Sequence, residues 1–333
     1  MTQSGAQARR VTIDDVARHA GVSRQTVSRA LNDKGEIGDA TKQRVLDSAQ
    51  ELGYRPSRFA RGLVRQDTTS IGLVIPDLRN PFFTEVAAAA LEAARTRGWH
   101  VVVYDTADSP DEERGTLEVI GSQVDAVVGY FSRPEDEIDR LVRGVPVVLI
   151  GREAPAARFS SIVVDGSEGV ERAVGHLVSA GHRRIGMIDH AGRAEPSIRH
   201  AWYETALAAH GLEPGPVRRA AQSVAGGERA LEELLAEHPD VTAVFTFNDI
   251  IAIGALRAGR RLGRRIPQDL AVVGFDGLQL GALVEPALTS VALDAHRLGT
   301  LAVEQAARLL TATGPLDPES ETVRAELCVR ESA

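Results

Sequence analysis

From Ser70 onward the sequence predicts an α/β body of doubly wound parallel sheets arranged as two lobes, preceded by a small all-α headpiece. Three observations carry this. Continuous apolar runs alternate with amphipathic stretches along the body. Two short helices joined at a glycine occupy residues 11–32. Charge also divides at their boundary: residues 1–66 hold 12 Lys+Arg and 7 Asp+Glu, or +5, whereas the rest hold 26 and 39, or −13. A basic segment on an acidic body points to a nucleic-acid-binding module joined to a larger domain.

The composition bounds the answer further. At 333 residues, two or three domains are expected. Hydrophobic residues make up 43% and charged residues 25%, an ordinary globular balance. No apolar run reaches the 18 or so residues of a membrane span, and Met1–Arg10 reads as a polar tail rather than a signal peptide. A single cysteine, Cys328, excludes internal disulfides and Cys-based zinc sites and fits a reducing cytoplasm; it is expected to be a buried small residue. Only Lys34 and Lys42 are lysines, against 36 arginines, which reflects base composition rather than function.

In the headpiece, expected over 11–56, Thr12 followed by Asp15 is a capping box that starts a helix near Ile13. Ile13, Val16, Ala17 and Ala20 share one face of it. Gly21 breaks the helix, and Ser23 caps a second one with Val27, Ala30 and Leu31 inward. Gly38-Asp39 opens a third, with Val45, Leu46, Ala49 and Leu52 inward, ended by Gly53. The outer face of the second helix carries Arg24, Gln25, Ser28 and Arg29. Arg and Gln make bidentate contacts to base edges in the major groove, while Ser23, Thr26 and Ser28 suit phosphates.

In the body, SIGLVI, HVVVYD, DAVVGY, PVVLIG, RIGMID, AVFTF and LAVVGF read as strands, with helices between them over FFTEVAAAALEAARTRG, Glu112–Ser122, GVERAVGHLVSAG, Ser197–Gly211 and DIIAIGALRAGRRLG. So long a stretch suits two similar lobes with a ligand cleft at the strands' carboxyl ends. Asn80, Arg152, Asn248 and Asp276 sit just beyond apolar strands, and Arg199 lies in the segment RHAWYETALAAHGL. An Arg fork, an Asn amide and a carboxylate suit vicinal hydroxyls, which both donate and accept.

VTIDDVA, AGVS, QTVSR and LN, then LGYRPSRFARGL, resemble the lactose-repressor (LacI/GalR) family of bacterial transcription regulators, and the likeness runs from Val11 to Ser332. The resemblance implies a headpiece that reads double-stranded DNA through Thr12, Ser23, Arg24, Gln25, Thr26, Ser28, Arg29, Asn32 and Tyr54. It also implies a hinge helix over 57–66, with Ser57 and Ala60 at the DNA and Leu63 wedged into the minor groove at the operator centre. Ser57 departs from the family's common Asn. For the body, the family implies a periplasmic-binding-protein-like domain over 67–333. One lobe is expected over 67–164 and 294–323, the other over 165–293 and 324–333. Asn80-Pro81-Phe82-Phe83 matches an NPFF signature in which Asn bonds hydroxyls and the aromatics, Phe82 and Phe83, sandwich a ring.

Three further departures bear on the effector. Gly151 stands where sugar binders often carry Asp before the Arg, Leu293 where they often have Gln, and Trp202 where a small Gly is usual. Trp202 lies one helical turn from Arg199; it is either a stacking platform for the effector or a core side chain. The implied protein is a cytoplasmic homodimer on a pseudo-palindromic operator, switched by a small-molecule, sugar-like effector, with no apolar heptad extension to make it a tetramer. The other reading is a binding-protein-like sensor of a non-sugar effector or corepressor. No phosphate-loop, dinucleotide, zinc-protease or nucleophile-elbow motif occurs. His176 and His182 read as structural, and Asp14-Asp15 as charges favourable to a helix N-terminus. Neither an enzyme, a cofactor nor a metal is expected.

Overall fold

The computed structural model describes residues 12–31, 37–52, 69–156, 158–192, 195–312, 314 and 316–333. Expectations for residues 1–10, Asn32, Gly53, Tyr54, Ser57, Ala60 and Leu63 lie outside these.

The headpiece is three helices, α1 (Ile13–Ala20), α2 (Arg24–Leu31) and α3 (Asp39–Glu51). The capping box forms: the Thr12 side chain accepts from the Asp15 amide, and Asp15 accepts from the Thr12 amide at 2.9 Å. Gly21 then takes a left-handed φ of +65°, which turns the chain into α2 at no steric cost. Val16, Val27 and Val45, one from each helix, are completely buried together, each contributing roughly 1.5–3 kcal/mol. Leu46 is 37% exposed rather than inward. At about 100° per residue, Val45, Ser48, Ala49 and Leu52 share a face and Leu46 falls beside it; Ser48 takes the buried place by donating to the Arg44 carbonyl at 2.8 Å.

The body holds two six-stranded sheets. The first comprises β1 (Ser70–Ile75), β2 (His100–Asp105), β3 (Ala126–Gly129), β4 (Val147–Ile150), β5 (Ser160–Asp165) and β11 (Ser320–Arg324), in the order β11-β5-β4-β3-β1-β2, all parallel. The second comprises β6 (Ile185–His190), β7 (Val217–Ala220), β8 (Ala243–Thr246), β9 (Ala271–Asp276), β10 (Thr289–Ala292) and β12 (Glu326–Cys328), in the order β12-β10-β9-β8-β6-β7. Its edge departs from the parallel expectation, because β12 runs antiparallel to β10 with Val291 opposite Leu327. Cys328, on that edge, is half-buried rather than buried.

Helices cover both faces of each sheet, as parallel strands require. On the first sheet, α4 (Pro81–Arg95) and α11 (Ala295–Thr311) meet Leu73, Ala126, Val128 and Val148, while α5 (Pro110–Ile120) and α6 (Glu135–Val142) meet Val74, Val127 and Leu149. On the second, α7 (Ser167–Ser179) and α8 (Ile198–Ala209) meet Met187, Phe245 and Val273, while α9 (Val224–Glu237) and α10 (Asp249–Arg261) meet Ile188, Val244 and Val272. Adjacent strand residues thus go to opposite cores. The chain passes between lobes after β5, after β10 and at Ala325. Among the described residues, no helix is long and apolar enough to cross a membrane.

Candidate functional site: an interlobe cleft and a polar helix face

Polar side chains of the two lobes meet at the carboxyl ends of the strands. Asn80, beyond β1, caps α4 by accepting from the Phe82 amide at 3.1 Å. Its amide then reaches the carboxylate of Asp276, at the end of β9 in the other lobe. Asp276 is 4% exposed and holds φ at +112°, a strained conformation for a residue with a side chain. Arg199, in the first turn of α8, donates to Asp276 Oδ1 at 3.2 Å and to the Phe247 carbonyl. Its guanidinium carbon lies 4.3 Å from the centre of the Phe247 ring and 3.9 Å from that of Phe275. Burial pushes Asp276 up to about 6, opposed by Arg199 and Asn80. Burial likewise pulls Arg199 below its ordinary value, opposed by Asp276.

A second row crosses the lobes beside the first. Asp108, beyond β2, lies 2.9 Å from His190 at the end of β6, and accepts from Gln222 at 3.2 Å. Gln222 also sits 3.2 Å from the same His190 nitrogen. That nitrogen, bound to Asp108, is a donor, as is the Gln222 amide, so both point to the carboxylate rather than to each other. The Gln222 carbonyl accepts from Asn248 at 2.8 Å, and Asn248 caps α10 by accepting from the Ile251 amide at 3.0 Å.

Aromatic rings line the first lobe's side. Phe83 meets Phe82 edge-on at 5.4 Å and Tyr130 at 5.1 Å. Arg152 donates to the carbonyls of Phe131 and Arg133, at 3.3 and 2.8 Å, and so ties down the loop after β3. Trp202 is half-buried against the main core, stacked on Phe275 at 6.3 Å, and its ring fills the space a side chain would need at Gly166. Leu293 is 8% exposed.

Of the residues singled out from sequence, Asn80, Phe82, Phe83, Arg199 and Asp276 are linked directly or through one ring. Asn248 joins the second row through Gln222, Arg152 is held on the β3 loop, and Trp202 lies one ring removed from Arg199. Asp108, Tyr130, His190, Gln222, Phe247 and Phe275 were not anticipated. Tyr130, His190, Phe247 and Phe275 all end or directly follow an apolar strand, so the strand-end rule applied to aromatics and histidine would have found them.

In the headpiece, Arg24, Gln25 and Arg29 are exposed on α2, with Thr26 and Ser28 half-exposed. Ser23 accepts from the Thr26 amide at 3.1 Å and lies 2.9 Å from its hydroxyl. The exposed Thr12 hydroxyl donates to Asp15 at 2.7 Å, and Arg24 lies 3.8 Å from Asp14.

Residues 12–57 match the family described as bacterial regulatory proteins, lacI family, and residues 174–333 match the periplasmic binding protein-like domain. Catabolite control protein A of Priestia megaterium is 34% identical over 313 residues, covering 90% of this chain and 92% of that protein. The chain belongs to the lacI family of bacterial regulatory proteins. Two solved structures extend the likeness to this lacI-family regulator. A LacI family transcriptional regulator from Arthrobacter sp. FB24 in complex with lactose is 32% identical with a TM-score of 0.72, covering 79% of this chain and 99% of that one. The lac repressor dimer bound to operator and the anti-inducer ONPF is 25% identical with a TM-score of 0.73, covering 97% and 99%. The helical headpiece and two-sheet body are the fold of this family, and the protein is a DNA-binding transcriptional regulator.

Proposed function

We propose that this regulator is a cytoplasmic repressor of carbohydrate-use genes whose operator affinity is set by a sugar-like molecule in the interlobe cleft. The observation that carries the reading is the Asn80–Asp276–Arg199 cluster, in which a helix cap of one lobe touches a strained, buried acid of the other. Such a cluster offers a ligand both donors and an acceptor, and a ligand bridging it favours one lobe arrangement over another. Asn80, Phe82, Phe83, Arg199, Asn248 and Asp276 are its contact residues in this reading, with Trp202 supporting Phe275 and Arg152 fixing the loop beside them. The relatives support it: one solved neighbour is named as a lactose complex and another as a repressor on its operator.

On the DNA side, Arg24, Gln25 and Arg29 read base edges. Thr12, Ser23, Thr26 and Ser28, with Asn32 and Tyr54, hold phosphates, and the hinge with Ser57, Ala60 and Leu63 enters the minor groove. Two headpieces of a homodimer then require a pseudo-palindrome with half-sites about one helical turn apart.

Selection of bound duplexes from random DNA, at fixed moderate salt because phosphate binding varies steeply with it, tests this. The expected product is a pseudo-palindrome with a deformable central step, released when a neutral sugar is added. Recovery of a pseudo-palindrome only when a metabolite is present would instead make the effector a corepressor. No enriched sequence under either condition would remove the operator reading.

A further inference from the structure

The loop after β3 is held from two sides. The Tyr130 amide donates to the Val74 carbonyl at 3.0 Å. Glu113 accepts from the Ser132 amide at 3.0 Å, the Ser132 hydroxyl at 2.6 Å and the Arg133 amide at 3.3 Å, while Arg152 grips the Phe131 and Arg133 carbonyls. The Tyr130 ring is held as firmly, with Phe83 edge-on at 5.1 Å. Gly151, at φ +82°, leaves the space the ring needs, since a Cβ there would come within 3.0 Å of it. Yet the Tyr130 hydroxyl is buried with no hydrogen-bond partner in the protein. A buried hydroxyl left unpaired is costly, and here the surrounding backbone permits no easy rearrangement to relieve it. Burial and Asp276 raise the phenol's pKa while Arg199 opposes, which places the group within electrostatic reach of the Arg199–Asp276 centre.

We propose that Tyr130 is the specificity-determining residue of the cleft, its phenol donating to an oxygen of an uncharged, polyhydroxylated effector. This rests on the cleft being the effector site, as argued above. The charge of the ligand follows from what the arginines already do. Arg199 is engaged by Asp276 and the Phe247 carbonyl, and Arg152 by two loop carbonyls. Asp276 is itself an acid, Glu85 adds negative charge acting on it, and Asp108 is a further acid where the lobes meet. A phosphate or carboxylate would meet these acids with the charge of Arg199 already balanced by Asp276, whereas a neutral polyol can accept from Tyr130 and donate to Asp276.

The test uses the full-length protein and a thermal-shift panel of ribose, galactose, lactose, cellobiose, ribose 5-phosphate and glucose 6-phosphate. Calorimetric titration of the best ligand then follows, on wild type, Tyr130→Phe, Gly151→Ala and Asp276→Asn. A neutral sugar is expected to bind, and Tyr130→Phe to weaken it about three- to tenfold, the loss of one hydrogen bond. The ligand-free melting temperature of Tyr130→Phe should match or exceed that of wild type, because an unpaired hydroxyl has been removed. Gly151→Ala, which displaces the ring, should weaken the same sugar without adding to the Tyr130→Phe loss. Unchanged affinity in Tyr130→Phe alongside a loss in Asp276→Asn overturns the role of Tyr130 and leaves the cleft standing. No loss in either variant removes the cleft itself. Preference for a sugar phosphate, or binding of no panel member, overturns the uncharged class. A fall of several degrees in ligand-free Tyr130→Phe overturns the proposal by showing that the hydroxyl has a structural partner.

Discussion

Asp249 shows how a single buried charge can tune this protein without touching a ligand. It opens α10 fully buried, accepting from the Leu278 amide at 2.7 Å and the Ser290 hydroxyl at 2.6 Å. Burial, with Asp276 adding to it, pushes its carboxyl up to about 7, against the pull of those hydrogen bonds and Arg330. A carboxyl whose folded pKa is raised stabilises the fold below the unfolded value near 3.8 and loses that contribution as pH rises through about 7. Asp249→Asn is therefore expected to flatten the fall in melting temperature over that window. Thermal melts of both proteins at pH 4, 5, 6 and 7 check this; a difference between variant and wild type that does not grow with pH contradicts it. Nothing in the sequence distinguished Asp249 from any other first-turn acid, whereas Asp276 was legible because it ends a wholly apolar strand. Charge state depends on burial that only the assembled sheet creates.

At the scale of elements, the headpiece was the easiest part to read, because its signals are local. The capping box, Gly21 and the spacing of Val16, Val27 and Val45 operate within a turn or two of helix. The body's strands were legible where they are continuous apolar runs. β5, β7, β10 and β11 were not singled out; β7 and β11 carry charged or polar side chains at sheet edges, where one or both faces meet water. The same locality makes a prediction for α2. Gln25 is exposed there beside Arg24 and Arg29, so Gln25→Ala should cost about 1–3 kcal/mol of discrimination at one base pair per half-site. Thr26→Ala is the contrast, since that hydroxyl serves phosphates: affinity should fall on every sequence alike. Competition binding against single-base operator variants separates the two, and equal loss across all variants for Gln25→Ala would assign it to phosphate.

Across the whole molecule, two polar bridges, Asn80–Asp276 and Asp108–His190, hold the lobes in the arrangement seen here. The second is partly exposed, 10% at His190 and 36% at Asp108, so it is worth about 0.2–1 kcal/mol, or roughly a 1.4- to 5-fold bias between lobe arrangements. Asp108→Ala should shift the ligand-free protein toward an open form by that factor, seen as a larger radius of gyration in solution scattering and weaker ligand affinity. His190→Ala should do the same, and the double variant should add little, since the pair acts as one contact. An additive double variant would show two separate roles. Neither bridge was legible in the sequence: Asp108 and His190 are 82 positions apart, in different lobes, and only the packing of two sheets end to end brings them together.

The chain's three passages between lobes also set an order of events during synthesis. The first sheet takes its edge strand from Ser320–Arg324, and the second takes its own from Glu326–Cys328. Neither lobe is a continuous stretch of sequence, so the first sheet must wait for an edge strand made after nearly all of the second lobe. The headpiece, whose described core residues pack against one another, can fold ahead of a body whose two sheets are closed nearly at once, by strands that follow one another directly in the chain.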